Sequence, residues 1–449
     1  MGNSQKTVAI FGLGYVGLPL AVVLAEKGFN VLGIDTNPEI RDTIMEGTPH
    51  FFETGLEPLL KKCIGKNFEV RASIEKGDAS VFIITVGTPL SEGERVPDLT
   101  AIKMVSRSVG RTLKRGDLVI LRSTVPIGVT RRVTLPILEQ ESQMNAGGDF
   151  FLAFAPERVI EGAALEELVK LPQVVGGVNE ESTVRARDFF QTFVEKTIVV
   201  RSLETAEIIK LANNAYRDTI FGFANEFSRL CGAFNIDPQE VVNAANANYP
   251  RGHIPSPSPG VGGYCLTKDP YILMSSAESR GISMSIIHAG RKSNEVMVPY
   301  ILKKVQDFFE NIRKKDIRKE KIALLGMAFK GWPETSDIRF SPSIDMAKLL
   351  RKQGAEVWGH DFAVPAETLT PHGIKFALSI EKAVREASCI ILMTNHPRYQ
   401  DKSWLPCLEA LNTPALFFDP WRLWDEKIIT SYPQVYYTNL GYSSFYKSR

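Results

Sequence analysis

The stretch Val8-Ala-Ile-Phe-Gly12-Leu-Gly14-Tyr-Val-Gly17 decides the fold of the first part of this chain. Its apolar residues predict a buried strand, and the Gly-x-Gly-x-x-Gly pattern predicts a tight turn into an apolar helix from about Leu18 to Lys27. Gly28 would end that helix, and Val31 to Ile34 predicts a second strand closed by Asp35. These segments form a βαβ unit of about 30 residues.

More strand-like runs follow, and helical stretches separate them. This alternation is typical of a parallel, doubly wound sheet, so we expect an α/β fold with a Rossmann-like first domain over residues 1–202. The runs are Ser80 to Val86, Leu118 to Arg122, Phe151 to Phe154 and Thr197 to Val200.

The middle of the chain has a different pattern. Apolar positions without proline predict one long helix from about Leu203 to Phe234. Dense prolines and glycines from Arg251 to Gly263 predict an ordered loop or a binding loop rather than a helix. We therefore expect residues 203–316 to form a central helical region that carries this loop.

The opening pattern partly recurs near the end of the chain. This recurrence predicts a second Rossmann-like domain over residues 317–449, which lacks the full glycine fingerprint and need not bind a dinucleotide. Its segments are a strand at Ile322 to Gly326, a helix from about Pro342 to Gln353 ended by Gly354, a strand from Ala355 to His360 closed by Asp361, and a strand at Cys389 to Met393.

Composition narrows the class of protein. The 449 residues include 53 basic and 51 acidic side chains, so the net charge of +2 gives no reason to expect nucleic acid or an anionic membrane as a partner. No apolar run of about 18 residues predicts a membrane span, and no signal peptide is expected. The 5 cysteines are scattered without a CxxC pair. We expect a cytoplasmic protein with reduced thiols and no metal site.

The glycine turn predicts a cofactor. Gly12, Gly14 and Gly17 would let the backbone approach a pyrophosphate at a helix N-terminus, and Asp35 would accept the ribose hydroxyls and repel a 2′-phosphate. That pattern favours NAD over NADP. The alternative is a tight turn without a cofactor.

The stretch Pro259-Gly-Val-Gly-Gly-Tyr-Cys265-Leu-Thr-Lys-Asp269 places a thiol behind a glycine-rich loop. A thiolate there could act as a nucleophile; the alternative for Cys265 is a small buried apolar side chain. Asp269 could be a general base for water or a polar anchor, or it could cap a helix that starts at Pro270.

Polar side chains elsewhere admit two interpretations each. Lys210 and Asn214, close to Glu207, share one face of the long helix, where Lys210 could stabilise an oxyanion or extend its ammonium into solvent. Glu157 and Glu161 follow a strand end, where they could orient water or sugar hydroxyls or simply face solvent. Thr124 could contact a ligand or be an ordinary loop residue, and the same two interpretations apply to Phe329-Lys330 and Arg339.

Seven motifs recur together in order in one known family. The chain resembles the nucleotide-sugar 6-dehydrogenases, which comprise the UDP-glucose and UDP-N-acetylhexosamine dehydrogenases, over nearly its whole length. The motifs are Gly-Leu-Gly14-Tyr-Val-Gly-Leu-Pro-Leu-Ala, Val-Gly87-Thr88-Pro, Ser-Thr124-Val-Pro, Ala-Pro-Glu157-Arg158, Lys210-Leu-Ala-Asn-Asn214, Gly-Val-Gly-Gly-Tyr-Cys265-Leu-Thr-Lys-Asp269 and Leu-Gly-Met-Ala-Phe329-Lys330.

The resemblance implies a role for each matching residue. Cys265 matches the nucleophile, Lys210 and Asn214 match the pair that supports the oxyanion, and Asp269 matches the carboxylate that acts on water. The residues that match contacts with substrate and water are Thr124, Glu157, Arg158, Glu161, Gly260, Gly262 and Gly263. Those that match contacts with the nucleotide are Phe329 and Lys330. Those that match contacts with the cofactor are Gly12, Gly14, Tyr15, Val16, Gly17, Asp35, Gly87, Thr88, Thr124 and Arg339.

The resemblance also implies an activity and an assembly. The expected reaction is an NAD-dependent, four-electron oxidation of the C6 hydroxymethyl group of a UDP-sugar to a uronate, through a thiohemiacetal and a thioester on Cys265. The C-terminal domain would bind UDP. A homodimer would form around the central helices, with Arg251 reaching the substrate of the neighbouring subunit.

The resemblance indicates the sugar of the substrate less specifically than the reaction. Ala155-Pro-Glu-Arg158 is similar to the N-acetylhexosamine branch, which favours UDP-ManNAc or UDP-GlcNAc, although Glu161 is shared with the glucose branch and UDP-glucose is the alternative. A single-oxidation hydroxy-acid dehydrogenase and a non-catalytic nucleotide-sugar sensor are further alternatives.

Overall fold

The computed structural model describes residues 7–91 and 95–446. The chain divides into two compact units. The first contains the chain up to Asn214 together with Tyr271–Ser283, and the second contains Ala215–Pro270 together with the chain from Met284 onward. The three-part division with boundaries at residues 202 and 316 stays a prediction.

The first unit is built on an eight-stranded sheet. Its strands are β1 (Thr7–Phe11), β2 (Asn30–Ile34), β3 (Phe68–Arg71), β4 (Val81–Ile84), β5 (Leu118–Leu121), β6 (Phe151–Phe154), β7 (Gln173–Gly177) and β8 (Thr197–Val199). They lie in the order β3-β2-β1-β4-β5-β6-β7-β8, and every pair is parallel except β6 with β7. The doubly wound sheet expected from the sequence is thereby confirmed.

Helices cover both faces of this sheet, which explains why β1, β4 and β5 are nearly continuous apolar runs. Helix α1 is buried from Gly17 to Ala25, so it packs as an almost wholly apolar rod against β1. The helices of the first unit are α1 (Gly17–Glu26), α2 (Pro38–Met45), α3 (Leu56–Cys63), α4 (Thr100–Thr112), α5 (Leu135–Ser142), α6 (Ala164–Lys170) and α7 (Glu180–Phe190).

The second unit contains a second parallel sheet. Its strands are β9 (Lys321–Leu325), β10 (Glu356–His360), β11 (Lys375–Phe376), β12 (Cys389–Leu392), β13 (Ala415–Phe418) and β14 (Val435–Thr438). The order β11-β10-β9-β12-β13-β14 repeats the order of the first six strands of the first sheet. The second Rossmann-like sheet expected from the recurring pattern is therefore present.

The remaining helices include two whose residues belong to both units, and the first of these is also the longest. This helix, α8 (Leu203–Ala233), agrees closely with the predicted long helix. The others are α9 (Pro238–Asn246), α10 (Tyr264–Glu278), α11 (Ser285–Glu295), α12 (Met297–Phe308), α13 (Pro342–Lys352), α14 (Ala366–Leu369), α15 (Ile380–Val384) and α16 (Glu426–Thr430). Among the described residues, none of these helices is long and apolar enough to cross a bilayer.

Candidate active site

The turn after β1 is shaped by two glycines. Gly12 has φ +89°, a conformation that side chains disfavour, and its N–H donates to the Ile34 carbonyl at 2.8 Å. A Cβ on Gly17 would lie 1.9 Å from the Gly12 carbonyl oxygen, whereas a Cβ on Gly14 would meet no atom within 4 Å. The turn therefore packs α1 tightly against β1 and leaves open space beside Gly14.

That open space has the chemistry of a diphosphate site. Helix α1 has no side-chain cap at its N-terminus and no acidic residue in its first turn, so nothing negative competes there with an anion. Asp35 accepts hydrogen bonds from the amides of Leu13 at 2.8 Å and Asn37 at 2.9 Å, which hold its carboxylate at the end of β2. The Tyr15 ring stacks on Phe51 with centroids 4.2 Å apart. These residues fit NAD, with the diphosphate at the turn and a ribose at Asp35.

Two threonines join the carboxyl ends of β4 and β5. The Thr88 hydroxyl, which is buried, donates to the Thr124 carbonyl at 2.6 Å, and Gly87 beside it is exposed. Because β1 and β4 are neighbours at the point where the strand order reverses, this contact lies where doubly wound sheets bind ligands. The structure thus gathers the predicted cofactor residues of the first unit at one edge of the sheet.

Glu157 is held by a buried ion pair. Its carboxylate accepts from Arg122 at 2.9 Å (Nε) and 2.5 Å (Nη2), and both side chains are less than a tenth exposed. Burial alone would raise the pKa of Glu157, but the charge of Arg122, followed by an amide hydrogen bond and the charge of Lys210, holds that pKa below its ordinary value. The solvent-facing alternative is wrong for Glu157, whose carboxylate instead fixes the loop after β6.

That loop in turn holds Lys210. The Lys210 side chain is 7% exposed, and its ammonium donates to the Glu157 backbone carbonyl, so it does not extend into solvent. Asn214, one helical turn later, is also buried. The resulting relay runs from Arg122 through Glu157 to Lys210 and holds an ammonium in a desolvated position, as oxyanion stabilisation requires.

Glu207 anchors α8 to another loop. Its carboxylate accepts from the Gly128 amide, from the Thr130 amide at 2.9 Å and from the Thr130 hydroxyl at 2.6 Å. Burial raises the pKa of Glu207, and these hydrogen bonds oppose the shift. The loop that begins at Thr124 is therefore tied to the same helix that carries Lys210.

Cys265 is the only exposed cysteine of the five, all of which the structure describes. It lies in the first turn of α10, which begins at Tyr264. The buried-apolar alternative for Cys265 is therefore wrong. So is the helix start at Pro270, because Asp269 lies inside α10, one turn after Cys265 and on the same face. Asp269 is fully buried and pairs with Lys268, whose Nζ lies 2.9 Å from its Oδ1.

The glycines before Cys265 make room for an aromatic ring. A Cβ on Gly263 would lie 2.6 Å from the Phe329 ring, and one on Gly262 would lie 2.6 Å from the Phe340 carbonyl oxygen. Arg339 forms a bidentate pair with Asp337 and lies over the Tyr264 ring, 4.9 Å from its centroid. The structure thus brings together residues that the sequence placed more than 60 positions apart.

The remaining predicted residues have varied surroundings. The Arg158 guanidinium donates to the Pro172 carbonyl, and Lys330 lies 5.6 Å from the Phe329 ring centroid. Arg251 is exposed and lies over the Tyr249 ring at 4.6 Å. Glu161 is half-buried. Their predicted roles, like those of the other site residues, stay predictions. No group of three or more potential ligands among the described residues could hold a metal ion.

Sequence reasoning missed Arg122 and Lys268 as parts of the site. Arg122 follows an apolar strand directly and precedes Ser123-Thr124, and a cation at a strand end beside a ligand loop was an available signal. Lys268 adjoins Asp269, and no periodicity indicates that both are buried together.

Family models match three consecutive parts of the chain. They describe the UDP-glucose/GDP-mannose dehydrogenase family: its NAD binding domain over residues 6–194, its central domain over residues 204–296 and its UDP binding domain over residues 323–426. The same three parts contain the glycine turn, the Cys265 loop and the second Rossmann-like sheet.

Individual relatives agree with these models. A UDP-N-acetyl-D-mannosamine dehydrogenase from Pyrococcus horikoshii is 36% identical over 403 residues, covering 88% of this chain and 91% of that protein. An NDP-N-acetyl-D-galactosaminuronic acid dehydrogenase from Ralstonia solanacearum is 32% identical, covering 88% and 92%.

Solved structures show the same likeness in three dimensions. The structure of the Pyrococcus horikoshii UDP-D-ManNAc dehydrogenase has a TM-score of 0.86 at 32% identity and covers 97% of this chain and 99% of that one. A UDP-glucose dehydrogenase from Pyrobaculum islandicum has a TM-score of 0.85 at 27% identity and covers 98% and 99%. The chain therefore belongs to the UDP-glucose/GDP-mannose dehydrogenase family and is an NAD-dependent nucleotide-sugar dehydrogenase.

Proposed function

We propose that this enzyme oxidises the C6 hydroxymethyl group of a UDP-N-acetylhexosamine, with UDP-ManNAc first among the candidates, to the uronate. The observation that carries the proposal is the position of Cys265: an exposed thiol in the first turn of a helix, behind a glycine loop packed on Phe329. The names of the relatives support the N-acetylated sugar, because those cited above include dehydrogenases of N-acetylmannosamine and N-acetylgalactosaminuronic acid nucleotides.

The reaction requires two oxidations at one carbon. NAD, when bound, accepts one hydride from the alcohol and a second NAD accepts one from the trapped aldehyde. Between these steps the Cys265 thiolate adds to the aldehyde carbon, and loss of the second hydride leaves a thioester. Water then attacks the thioester, breaks the C–S bond and releases the carboxylate and the thiolate. One alcohol, two NAD⁺ and one water become one acid, two NADH and two protons.

The other polar groups have roles that suit their environments. Lys210, held desolvated on the Glu157 carbonyl, supplies a fixed positive charge for the oxyanion, and Asn214 supplies an amide donor on the same helix face. Asp269 is one turn after Cys265, where a carboxylate could accept a proton from the attacking water. The free thiolate that this route requires fits a reducing compartment, so we propose a cytoplasmic enzyme.

Replacing the thiol tests the covalent route. Cys265→Ser should lower uronate formation by at least about 1,000-fold, because a hydroxyl is a far weaker nucleophile at neutral pH, while UDP-sugar binding stays measurable by calorimetry. Cys407→Ser, which changes a half-buried cysteine elsewhere, is the matched control and should stay fully active. Full uronate production by Cys265→Ser would refute the route.

The amount of NADH formed per sugar separates the alternatives. Two NADH per sugar are expected, whereas a single-oxidation dehydrogenase would give one and a sensor none. The panel should contain UDP-ManNAc, UDP-GlcNAc, UDP-GalNAc and UDP-glucose. A kcat/KM higher for UDP-glucose than for every N-acetylated sugar would overturn the substrate assignment and leave the reaction class intact.

We also propose a homodimer built on the second half of α8. Tyr216, Phe223 and Leu230 are spaced seven residues apart, so they form one stripe, and they are 66%, 57% and 57% exposed. A second copy of this chain would cover this stripe and would let the exposed Arg251 reach the neighbouring substrate.

Sedimentation equilibrium tests the dimer. Phe223→Asp should give monomers at concentrations where the parent chain is dimeric, because it places a charge in the apolar stripe. Met104→Asp, at a residue 59% exposed on α4, should leave the assembly unchanged. An unchanged dimer in the Phe223→Asp variant would exclude this face.

A further inference from the structure

Arg291 on α11 is a buried cation that contacts the Cys265 loop on both sides of the thiol. The residue is 2% exposed, and its Nη1 donates to Asp218 at 2.8 Å and to the Leu266 carbonyl at 3.1 Å. Its Nη2 donates to the Val261 carbonyl at 3.2 Å. One planar guanidinium therefore links α8 to the residues before and after Cys265.

The carbonyl of Leu266 is available to Arg291 for a reason visible in the sequence. Residue 270 would normally donate its N–H to the carbonyl four positions earlier, but Pro270 lies inside α10 and has no N–H. The Leu266 carbonyl therefore has no donor four positions later in α10, and Arg291 supplies one. The carbonyl that Pro270 leaves without a helical donor thus finds its donor outside α10.

A chain of amides extends the same network to the start of the loop. The Asn294 amide donates to the Asp218 carboxylate and to its backbone carbonyl, each at 2.8 Å. Asn225 donates to the Asn294 side-chain oxygen at 2.8 Å, and the Ser258 backbone N–H donates to the Asn225 side-chain oxygen at 2.8 Å. The segment from Ser258 to Leu266, which includes the first residues of α10, is therefore held at both ends by buried polar groups on α8 and α11.

Two glycines allow α8 and α11 to approach closely enough for these bonds. A Cβ on Gly222 would lie 2.4 Å from the Gly290 carbonyl oxygen, and a Cβ on Gly290 would lie 2.8 Å from the Thr219 Cα. The Gly290 contact adjoins Arg291, and the Gly222 contact lies one helical turn from Asp218. The close crossing of α8 and α11 therefore lies beside the buried pair of Arg291 and Asp218.

We propose that Arg291, paired with Asp218, is a positioning residue that fixes the Cys265 thiol for attack on the aldehyde. The inference rests on the proposed nucleophilic role of Cys265. Attack requires the sulfur to be held close to the reacting carbon and in line with it, and a displacement of about 1 Å can cost about 100-fold in rate. Because Arg291 holds Asp218 and two backbone carbonyls on either side of Cys265, we expect its effect to fall on kcat and on thiol reactivity.

The decisive variant is Arg291→Lys, which keeps the charge but cannot donate to three acceptors in one plane. We expect kcat to fall at least about 10-fold while KM changes less than about threefold. The rate of Cys265 alkylation by iodoacetamide, followed by peptide mass spectrometry, should change at least about threefold.

A matched control exists in the same unit. The Arg313 side chain is 3% exposed and donates to the Asn412 and Pro414 carbonyls and to Glu320, but none of these contacts belongs to the Cys265 loop. Arg313→Lys should leave kcat and the alkylation rate within about twofold of the parent values. Equal losses in both variants would show general loosening and overturn the proposal.

The double variant Asp218→Asn with Arg291→Met separates positioning from charge balance. It removes the buried charges together, so folding should recover relative to Arg291→Met alone, while kcat should stay low because the loop carbonyls lose their donor. A parent-like kcat in the double variant or in Arg291→Lys would overturn the proposal. Failure of both to fold would show that the pair serves folding, which also overturns it. The alkylation measurement needs no turnover, so a failure of the proposed catalytic route would be recognised separately.

Discussion

The two sheets of this molecule begin with the same corner and then diverge. In the first, Gly12 has φ +89° and donates to the Ile34 carbonyl, and Asp35 accepts from the next amide, that of Leu13. In the second, Gly326 has φ +96° and donates to the His360 carbonyl, and Asp361 accepts from the next amide, that of Met327. A positive-φ glycine and an aspartate thus hold both corners in the same way.

The difference begins with the helix that follows. After Gly12, α1 begins at Gly17, which touches the Gly12 carbonyl so closely that no side chain fits. After Gly326, α13 begins only at Pro342, and the Ser343 hydroxyl donates to the Gly326 carbonyl at 2.7 Å. The Gly12 carbonyl also accepts a hydroxyl, that of Thr85 at 2.7 Å, but Thr85 follows β4, whereas Ser343 lies in α13 itself.

The longer second loop contains the groups that the first corner lacks. It includes Phe329 and Arg339, which pack against Gly263 and Tyr264 next to Cys265. One corner therefore leaves bare backbone beside Gly14, whereas its repeat uses side chains to support the loop that leads to Cys265. The same strand order therefore serves two purposes.

The largest expected effect comes from placing a side chain where the first corner is closed. Gly17→Ala puts a Cβ 1.9 Å from the Gly12 carbonyl oxygen, so α1 must move away from β1. We expect NAD affinity, measured by calorimetry, to fall at least about 100-fold, because the amides that meet the diphosphate move with the helix.

Its counterpart in the second corner should behave differently. Ser343→Ala removes one buried hydrogen bond and should cost about 1 kcal/mol of unfolding free energy without changing NAD affinity. Parent-like NAD binding by Gly17→Ala, or weakened binding by Ser343→Ala, would contradict the division of purposes.

Replacing each of the two positive-φ glycines by alanine should lower the free energy of unfolding by different amounts. Gly326→Ala would place a Cβ 2.0 Å from the Thr394 hydroxyl oxygen, whereas Gly12→Ala would meet Val86 at 3.1 Å. Both variants strain the backbone, but the clash should make Gly326→Ala the costlier, by about 3 kcal/mol against about 1 kcal/mol.

Fluorescence can report the second unit alone, because all 5 tryptophans belong to it: Trp332, Trp358, Trp404, Trp421 and Trp424. Adding Thr394→Ala to Gly326→Ala should recover part of the loss measured by urea unfolding. No recovery would show that backbone strain, rather than the clash, sets the cost.

The last expected effect is a sensitivity to acid in the second corner. Burial, opposed by Asp361 and supplemented by Arg398 and His396, lowers the pKa of His360 from 6.5 to about 4. Between these pH values the unfolded chain binds a proton at His360 that the folded chain does not bind. The free energy of unfolding therefore falls as the pH drops from about 6.5 toward 4. At pH 5 the expected loss is about 2 kcal/mol relative to pH 8.

Ile34 stands at the equivalent place in the first corner and has no such dependence. His360→Gln keeps a polar group near Tyr399 and should abolish this part of the loss in tryptophan-monitored urea unfolding at the two pH values. An identical acid dependence in parent and variant would mean that other groups are responsible.

The leading elements of both sheets could be predicted, whereas their edges could not. Val8–Phe11 and Cys389–Leu392 are continuous apolar runs because helices cover them on both faces. Strand β3 alternates between buried and exposed residues over only four positions, and β11 has two residues, so neither has a pattern long enough to detect. β7, β13 and β14 were also missed, although β13 is wholly apolar.

By itself, the sequence determined the succession of elements, the two glycine corners with their aspartates, the thiol behind a glycine loop and the family. These features depend on local periodicity and on conformations that only glycine adopts readily, which short segments encode directly.

Only the tertiary structure decided which polar groups are buried together. The pairs Arg122 with Glu157 and Arg291 with Asp218 join residues 35 and 73 positions apart, and the start of α10 at Tyr264 places Asp269 inside a helix rather than at its cap. The physical reason is that a buried charge is tolerated only where the folded chain brings it a partner, and no local pattern along the chain specifies that partner.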